Sequence, residues 1–115
     1  MITFLRMVYD YEMNDQYCVY IMSNPNRTVL YIGMTSDIAA RILSHKQKLV
    51  EGFTKDYNCV DCVYFEFCGS RDQALFREKQ LKGWRRQKKE DLIGRFNPSL
   101  NDLSDKFLDA QAGLR

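Results

Sequence analysis

Tyr17-Cys18-Val19-Tyr20-Ile21-Met22, then Ser23-Asn24-Pro25-Asn26, then Thr28-Val29-Leu30-Tyr31-Ile32 followed by Gly33, is the stretch that decides the fold. Its outer parts are aromatic and β-branched, and its middle is a dense run of turn formers. The spacing predicts a β-hairpin with a loop of a few residues. Period-2 alternation sets Tyr20 on the face opposite Val19 and Ile21, and Tyr31 opposite Leu30 and Ile32. Whether the two tyrosines share a face depends on the register, which the residues alone leave open.

Working outward, Thr35-Ser36-Asp37 opens a helix, with a hydroxyl cap and an acid in its first turn. Ile38, Ile42 and Leu49 mark its buried stripe. Arg41 and His45 stand four apart on one face beside that stripe. Gly52 ends or follows the helix, residues 53–61 are expected as a loop, and Cys62 to Cys68 alternates as a third strand. Ser70-Arg71-Asp72-Gln73 fits a capping box. The helix it starts is expected to reach about Trp84, with Ala74, Leu75 and Leu81 inside. A shorter helical stretch near Lys89 to Phe96 stops before Asn97-Pro98, where proline disfavours helix. The order β-β-α-β-α-α predicts an α+β fold, a small three-stranded antiparallel sheet flanked by helices. Residues 1–15 read as an N-terminal extension, 16–103 as one domain and 104–115 as a C-terminal tail.

The 115 residues suffice for one modest core, and 45% hydrophobic with 28% charged residues is ordinary for a globular domain. A net charge of +2 is too mild to mark a nucleic-acid binder, so the placement of positive charge matters more than its total. No apolar run approaches the roughly 20 residues of a membrane span. The short N-terminal apolar stretch is followed by Asp10, Glu12 and Asp15, a poor signal peptide. A cytoplasmic protein with reduced thiols and no membrane partner is the expectation. Cys59-Val60-Asp61-Cys62 has zinc-ribbon spacing, but there is no second Cys-x-x-Cys and His45 is the one histidine, short of a four-ligand site. Cys18 and Cys68 fall in strand-like runs and read as small buried hydrophobes.

Glu78 is the sharpest point. It follows Ala74 by four and precedes Leu81 by three, in the apolar stripe of its helix. A carboxylate there costs free energy unless it is paired or binds a cation. An ion pair with Arg77, Lys79 or Lys82 is the plain alternative. Arg41 and His45 read equally as a solvated helix flank, and Tyr20 and Tyr31 as half-buried strand tyrosines. The run Lys79, Lys82, Arg85, Arg86, Lys88 and Lys89 around Trp84 is either a solvated face or a set of phosphate contacts.

Together these residues resemble the GIY-YIG nuclease family over about Tyr17 to Leu103, most of all its small stand-alone bacterial members. Cys18-Val19-Tyr20 departs from the first tripeptide but keeps its tyrosine, and Tyr31-Ile32-Gly33 matches the second. Arg41, His45, the stretch Gly52 to Asn58, Arg77-Glu78-Lys79-Gln80-Leu81-Lys82 and Asn97-Pro98 follow in order. The resemblance implies a DNA endonuclease that hydrolyses phosphodiester bonds with one metal ion, in repair or recombination. Glu78 would hold that Mg²⁺ (or Mn²⁺) ion. Arg41 would grip a phosphate oxygen, and a phenolate from Tyr20 or Tyr31 would activate water with help from His45. Gly33 would let the backbone pass close to substrate or to the facing helix, and Asn97 would support the site. Several family members carry lysine directly after the Tyr-Ile-Gly glycine, where it lowers the tyrosine pKa. Here Met34 stands in that place, with Lys55 or Arg41 as candidate replacements for the cation. The rival reading is a non-catalytic nucleic-acid-binding module of the same fold. A single site cuts one strand, so double-strand breaks need a dimer or two encounters, and the sequence leaves the oligomeric state open.

Overall fold

The computed structural model describes residues 17–50 and 52–108; the expected extension over 1–15 and the end of the tail lie outside the described residues. Strands β1 (Tyr17–Ser23), β2 (Leu30–Thr35) and β3 (Asp61–Cys68) form one antiparallel sheet in the order β2-β1-β3. The central strand is buried continuously from Cys18 to Ser23, as a strand covered on both faces must be. Asn24 shapes the hairpin loop: its Oδ1 accepts from the Thr28 and Val29 amides, both at 2.9 Å, and its Nδ2 donates to Thr28 Oγ1 at 2.7 Å. The register pairs Tyr20 with Gly33 and Met22 with Tyr31, which puts both tyrosines on one face.

Each face has its own core. On one, Val19, Ile21, Ile32 and Val63 pack with Ala74 and Leu81 of helix α3 (Arg71–Lys82) and with Ile93 of α4 (Arg86–Phe96). On the other, Cys18, Tyr20 and Met22 pack with Ile38 and Ile42 of α1 (Ile38–Lys46) and with Cys59 and Cys62. A bulge where β1 pairs with β3, between Ile21 and Met22, lets the consecutive Val63 and Tyr64 both face the α3 side. Phe65 and Phe67 then return to the α1 side.

Several boundaries differ from the expected ones. The cap of α1 is Asp37, whose side chain accepts from the Ala40 amide at 3.1 Å, while Thr35 Oγ1 accepts from the Asp37 amide at 3.0 Å one step earlier. Leu49 is not part of the buried stripe. It follows Lys48, whose φ of +56° turns the chain away, and it is 66% exposed. His45 fills the third stripe position instead, buried with Ile38 and Ile42. Within the expected loop, Phe53–Asp56 forms a short helix, α2, entered through Gly52 at φ +93°. A single turn is too short to carry a readable period. Helix α3 stops at Lys82, and α4 begins at Arg86 rather than near Lys89, with Gly83 to Arg85 between them. The basic run is therefore divided between two helices.

The C-terminal segment is fastened to the sheet. Asn97, buried, donates to Val63 O at 3.1 Å and to Asn101 O at 2.8 Å, and accepts from the Asn101 amide at 3.1 Å. Asp102 accepts from the Cys62 amide at 3.0 Å, from Ser104 and from the Lys46 ammonium. Lys46 also pairs with Asp61 at 3.2 Å, and Asp61 with Arg27 at 2.8 Å. Ser104 is buried, and Phe107 meets Phe65 edge-on at 4.8 Å, so residues 104–108 cover the α1-side core. The network holds the last turn of α1 in place, the turn that carries His45.

Candidate active site

Three rings meet on the α1 face of the sheet. Tyr20 Oη lies 3.1 Å from His45 Nε2. The ring centroids are 5.6 Å apart for Tyr20 and His45, 5.8 Å for Tyr31 and His45, and 6.4 Å for the two tyrosines. Gly33 makes this packing possible. A Cβ there would stand 2.6 Å from Tyr20 Oη, 2.7 Å from Tyr20 Cζ and 3.0 Å from Tyr31 Cε2. The glycine is thus explained by tyrosine rings lying over its backbone, and the passage of substrate or of a facing helix is not needed to account for it.

His45 is 2% exposed, and burial pushes its pKa down to about 4, with the Arg41 charge adding to the effect. Its imidazole is therefore neutral at pH 7. Among the described residues, Nδ1 has no hydrogen-bond partner although it is buried. A buried orphan N–H is rarer than an orphan acceptor, which favours the tautomer with the proton on Nε2, donated to Tyr20 Oη. The Tyr20 hydroxyl proton is then turned away from the histidine. Burial raises the Tyr20 pKa, the neighbouring Tyr31 adds to this, and Arg41 opposes it. Arg41 itself is exposed on α1.

The neutral histidine has a measurable consequence. Its pKa is near 6.5 in an unfolded chain and about 4 here, so between those values the unfolded state binds more protons. Its contribution is complete above pH 6.5 and is lost as pH falls toward 4. Urea unfolding across this window should lose on the order of 3 kcal/mol of stability, and His45→Gln should flatten the pH 5 to 6.5 part. His45 is the chain's one histidine, so an unchanged slope in the variant would refute the assignment.

Glu78 is not among the rings. It stands on α3, which packs on the opposite face of the sheet and lies against edge strand β2, the strand that carries Tyr31. Its side chain is 17% exposed and pairs with Lys82 Nζ at 3.3 Å, so Lys82, four residues on, shares its helix face. Arg77 turns instead to Glu66 at 2.9 Å and Gln80 at 2.7 Å. Met34 faces the α3-side core, away from the tyrosine rings. Asn97 bonds to Val63 of β3 and to Asn101 of its own turn.

The basic residues are used unequally. Arg86 donates to Thr28 O and Arg27 O, each at 3.0 Å, and to Glu90 at 2.9 Å, which fastens α4 to the hairpin loop. Lys88 and Arg77 lie over the Trp84 ring at 4.2 and 5.3 Å. Lys79, Lys82 and Arg85 are exposed, Lys89 is half-buried, and Lys55 is exposed on α2. Cys59 and Cys62 are buried free thiols whose pKa values burial raises. Among the described residues, no group of three His, Cys, Asp or Glu side chains is placed to hold a metal ion, so the zinc-ribbon spacing finds no further ligands.

Two aromatic residues given no role from sequence extend the cluster. Phe53 stacks on Tyr31 with centroids 6.1 Å apart, and Tyr57 meets Phe53 at 4.6 Å. Their separation by four residues was the available signal.

The family model of the GIY-YIG catalytic domain matches residues 16–91. The chain belongs to the GIY-YIG family. This is a nuclease family, so nucleic acid is the substrate class that membership implies. The chain is 35% identical over 80 residues to a UPF0213 protein of Haloquadratum walsbyi, covering 70% of this chain and 89% of that one. A UPF0213 protein of Staphylococcus saprophyticus is 35% identical over 79 residues, 69% of this chain and 95% of that one. The solution NMR structure of a UPF0213 protein from Bacillus halodurans superposes with a TM-score of 0.50 at 23% identity, covering 78% of this chain and 95% of that chain. That likeness agrees with the GIY-YIG fold seen here, the three-stranded antiparallel sheet with flanking helices. Among the described residues, no helix is long and apolar enough to cross a membrane.

Proposed function

We propose that the protein is a DNA endonuclease that hydrolyses phosphodiester bonds with one divalent cation, Mg²⁺ or Mn²⁺, held through Glu78, and that it works in DNA repair or recombination. The observation that carries the reading is the Tyr20–His45 hydrogen bond, packed under Tyr31 and over Gly33 with Arg41 exposed alongside. A purely structural tyrosine pair needs neither a neutral histidine with an orphaned nitrogen nor a guanidinium beside it.

Glu78 suits the cation. Its one carboxylate is partly exposed, and its partner is a surface lysine at i+4, a pair worth about 0.3–0.5 kcal/mol. A hard divalent ion takes one carboxylate and fills its remaining positions with water. Bound there, the ion would neutralise charge on the phosphate and on the leaving oxygen. The chain's own residues do the rest. Arg41 grips a non-bridging phosphate oxygen and stabilises the charge that grows in the transition state. Tyr31, the less buried of the two tyrosines, orients the attacking water. As the phenolate its Oη takes the water's proton as the new P–O bond forms, and the P–O3′ bond breaks with the leaving 3′ oxygen taking a proton from solvent. Tyr20 is a positioning residue, fixed by His45 beneath Tyr31. Lys79, Arg85 and Lys88 are the basic side chains best disposed to meet flanking phosphates without reading sequence.

The test is a panel of plasmid, flap, junction and single-stranded DNA with Mg²⁺, Mn²⁺ or EDTA. Cutting is expected with either metal, none with EDTA, and a fall of about 100-fold or more with Arg41→Ala. Salt-sensitive binding that never yields product would overturn the nuclease reading in favour of a nucleic-acid-binding module.

A further inference from the structure

The rings do not end at the site. From buried Tyr20 they continue through half-buried Tyr31 to Phe53, stacked at an interplanar angle of 27°, and on to Tyr57. The two outermost are 46% and 55% exposed. Aromatic area left in water forgoes hydrophobic stabilisation. Helix α2 buries only Thr54, so Phe53 and Tyr57 are not held out by packing beneath them. Instead they prolong, toward solvent, a ladder whose inner end is the phenol assigned to the reaction.

Because the ladder is continuous with the site, its outer end meets whatever occupies the site. In duplex DNA the two faces of each base are covered by its neighbours. An unpaired base offers a π-face, and base–aromatic stacking is the usual way to hold one. Arg41, exposed and close enough for its charge to act on Tyr20 and His45, supplies the complementary contact to the phosphate. The geometry points to Phe53 and Tyr57 as a stacking platform for an unpaired nucleobase beside the scissile phosphate, which makes single-stranded or frayed nucleic acid the preferred substrate over continuous duplex. This rests on the nuclease reading above and names its substrate class.

Binding is measured with the Glu78→Gln protein on oligonucleotides carrying 2-aminopurine, as single strand, as duplex and with an abasic site in place of the probe base. Single strand should bind most tightly and its fluorescence should be quenched. Adding Phe53→Leu and Tyr57→Leu, which keep apolar area but remove the π-faces, should abolish quenching and weaken binding about tenfold or more. Adding Phe53→Tyr and Tyr57→Phe instead should preserve both. Tyr57→Leu alone, farthest from the core, serves if the double leucine variant does not fold. Duplex bound as tightly as single strand, or full affinity in the leucine variant, overturns the platform. So does concentration-dependent self-association that the leucine changes abolish, because the rings would then be a protein interface. Cleavage by the unsubstituted protein separates this inference from the one beneath it. Equal cutting of duplex and single strand keeps the nuclease and removes the platform. Quenching without any product keeps the platform and removes the nuclease.

Discussion

Glu78→Gln is expected to reduce cleavage by about 1000-fold or more while moving the melting temperature by no more than about 2 °C. The two halves of this expectation have different causes. In the free protein the carboxylate makes an i,i+4 pair with an exposed lysine at 3.3 Å, worth only a few tenths of a kcal/mol. Glutamine fits the same half-buried place and removes that small term alone. In the reaction, the same carboxylate is the proposed anchor for the cation, and losing several kcal/mol of transition-state stabilisation amounts to about three orders of magnitude in rate. Cleavage rates at saturating DNA, read beside thermal unfolding of the same preparations, give both numbers. Lys82→Ala sharpens the test, because the lysine competes with the cation for Glu78: half-maximal cutting should need less Mg²⁺. A glutamine variant that cuts as well as the unsubstituted protein would show that Glu78 is only a surface ion-pair partner.

The parts of the fold legible in the sequence were those with a period long enough to read. The hairpin, the third strand and the Ser70-capped helix were marked by alternation, turn chemistry and a capping box, and Ser70 does accept from the Gln73 amide at 3.1 Å. What escaped had no local signature. One turn at Phe53–Asp56 carries no stripe. The break between α3 and α4 was expected, but it falls at Gly83 to Arg85 instead of between Trp84 and Lys89. His45 shows why the site was only half legible: spacing placed it beside Arg41, but a polar residue was not expected to replace Leu49 in the buried stripe. Its burial is a tertiary fact, fixed by Tyr20 on a strand distant in sequence. Register is of the same kind. Alternation gave each tyrosine a face, and only the pairing of Tyr20 with Gly33 makes those faces one.

That pairing makes Gly33→Ala a damaging change despite its small size. One methyl group there would lie 2.6 Å from Tyr20 Oη and 2.7 Å from Cζ, well inside van der Waals contact. Gly33 is itself buried in a strand and none of its difficulty comes from φ, so the strain is steric and must be relieved by the ring. Tyr20 has little room to move, because it is buried in the α1-side core and its oxygen is held by His45. Overpacking of this kind costs about 1–3 kcal/mol. The alanine variant should unfold earlier in urea by that amount and lose cleavage by about 100-fold or more, since displacing Tyr20 also displaces the ring of Tyr31 beside it. A second substitution isolates the cause. Tyr20→Phe keeps Cζ and should leave the alanine nearly as costly, whereas Tyr20→Val removes the ring and should make Gly33→Ala almost neutral for stability. A double-mutant cycle therefore gives a coupling of about 1–3 kcal/mol with valine and little with phenylalanine. Equal costs of the alanine in all three backgrounds would mean that the glycine answers to something other than the tyrosine lying across it.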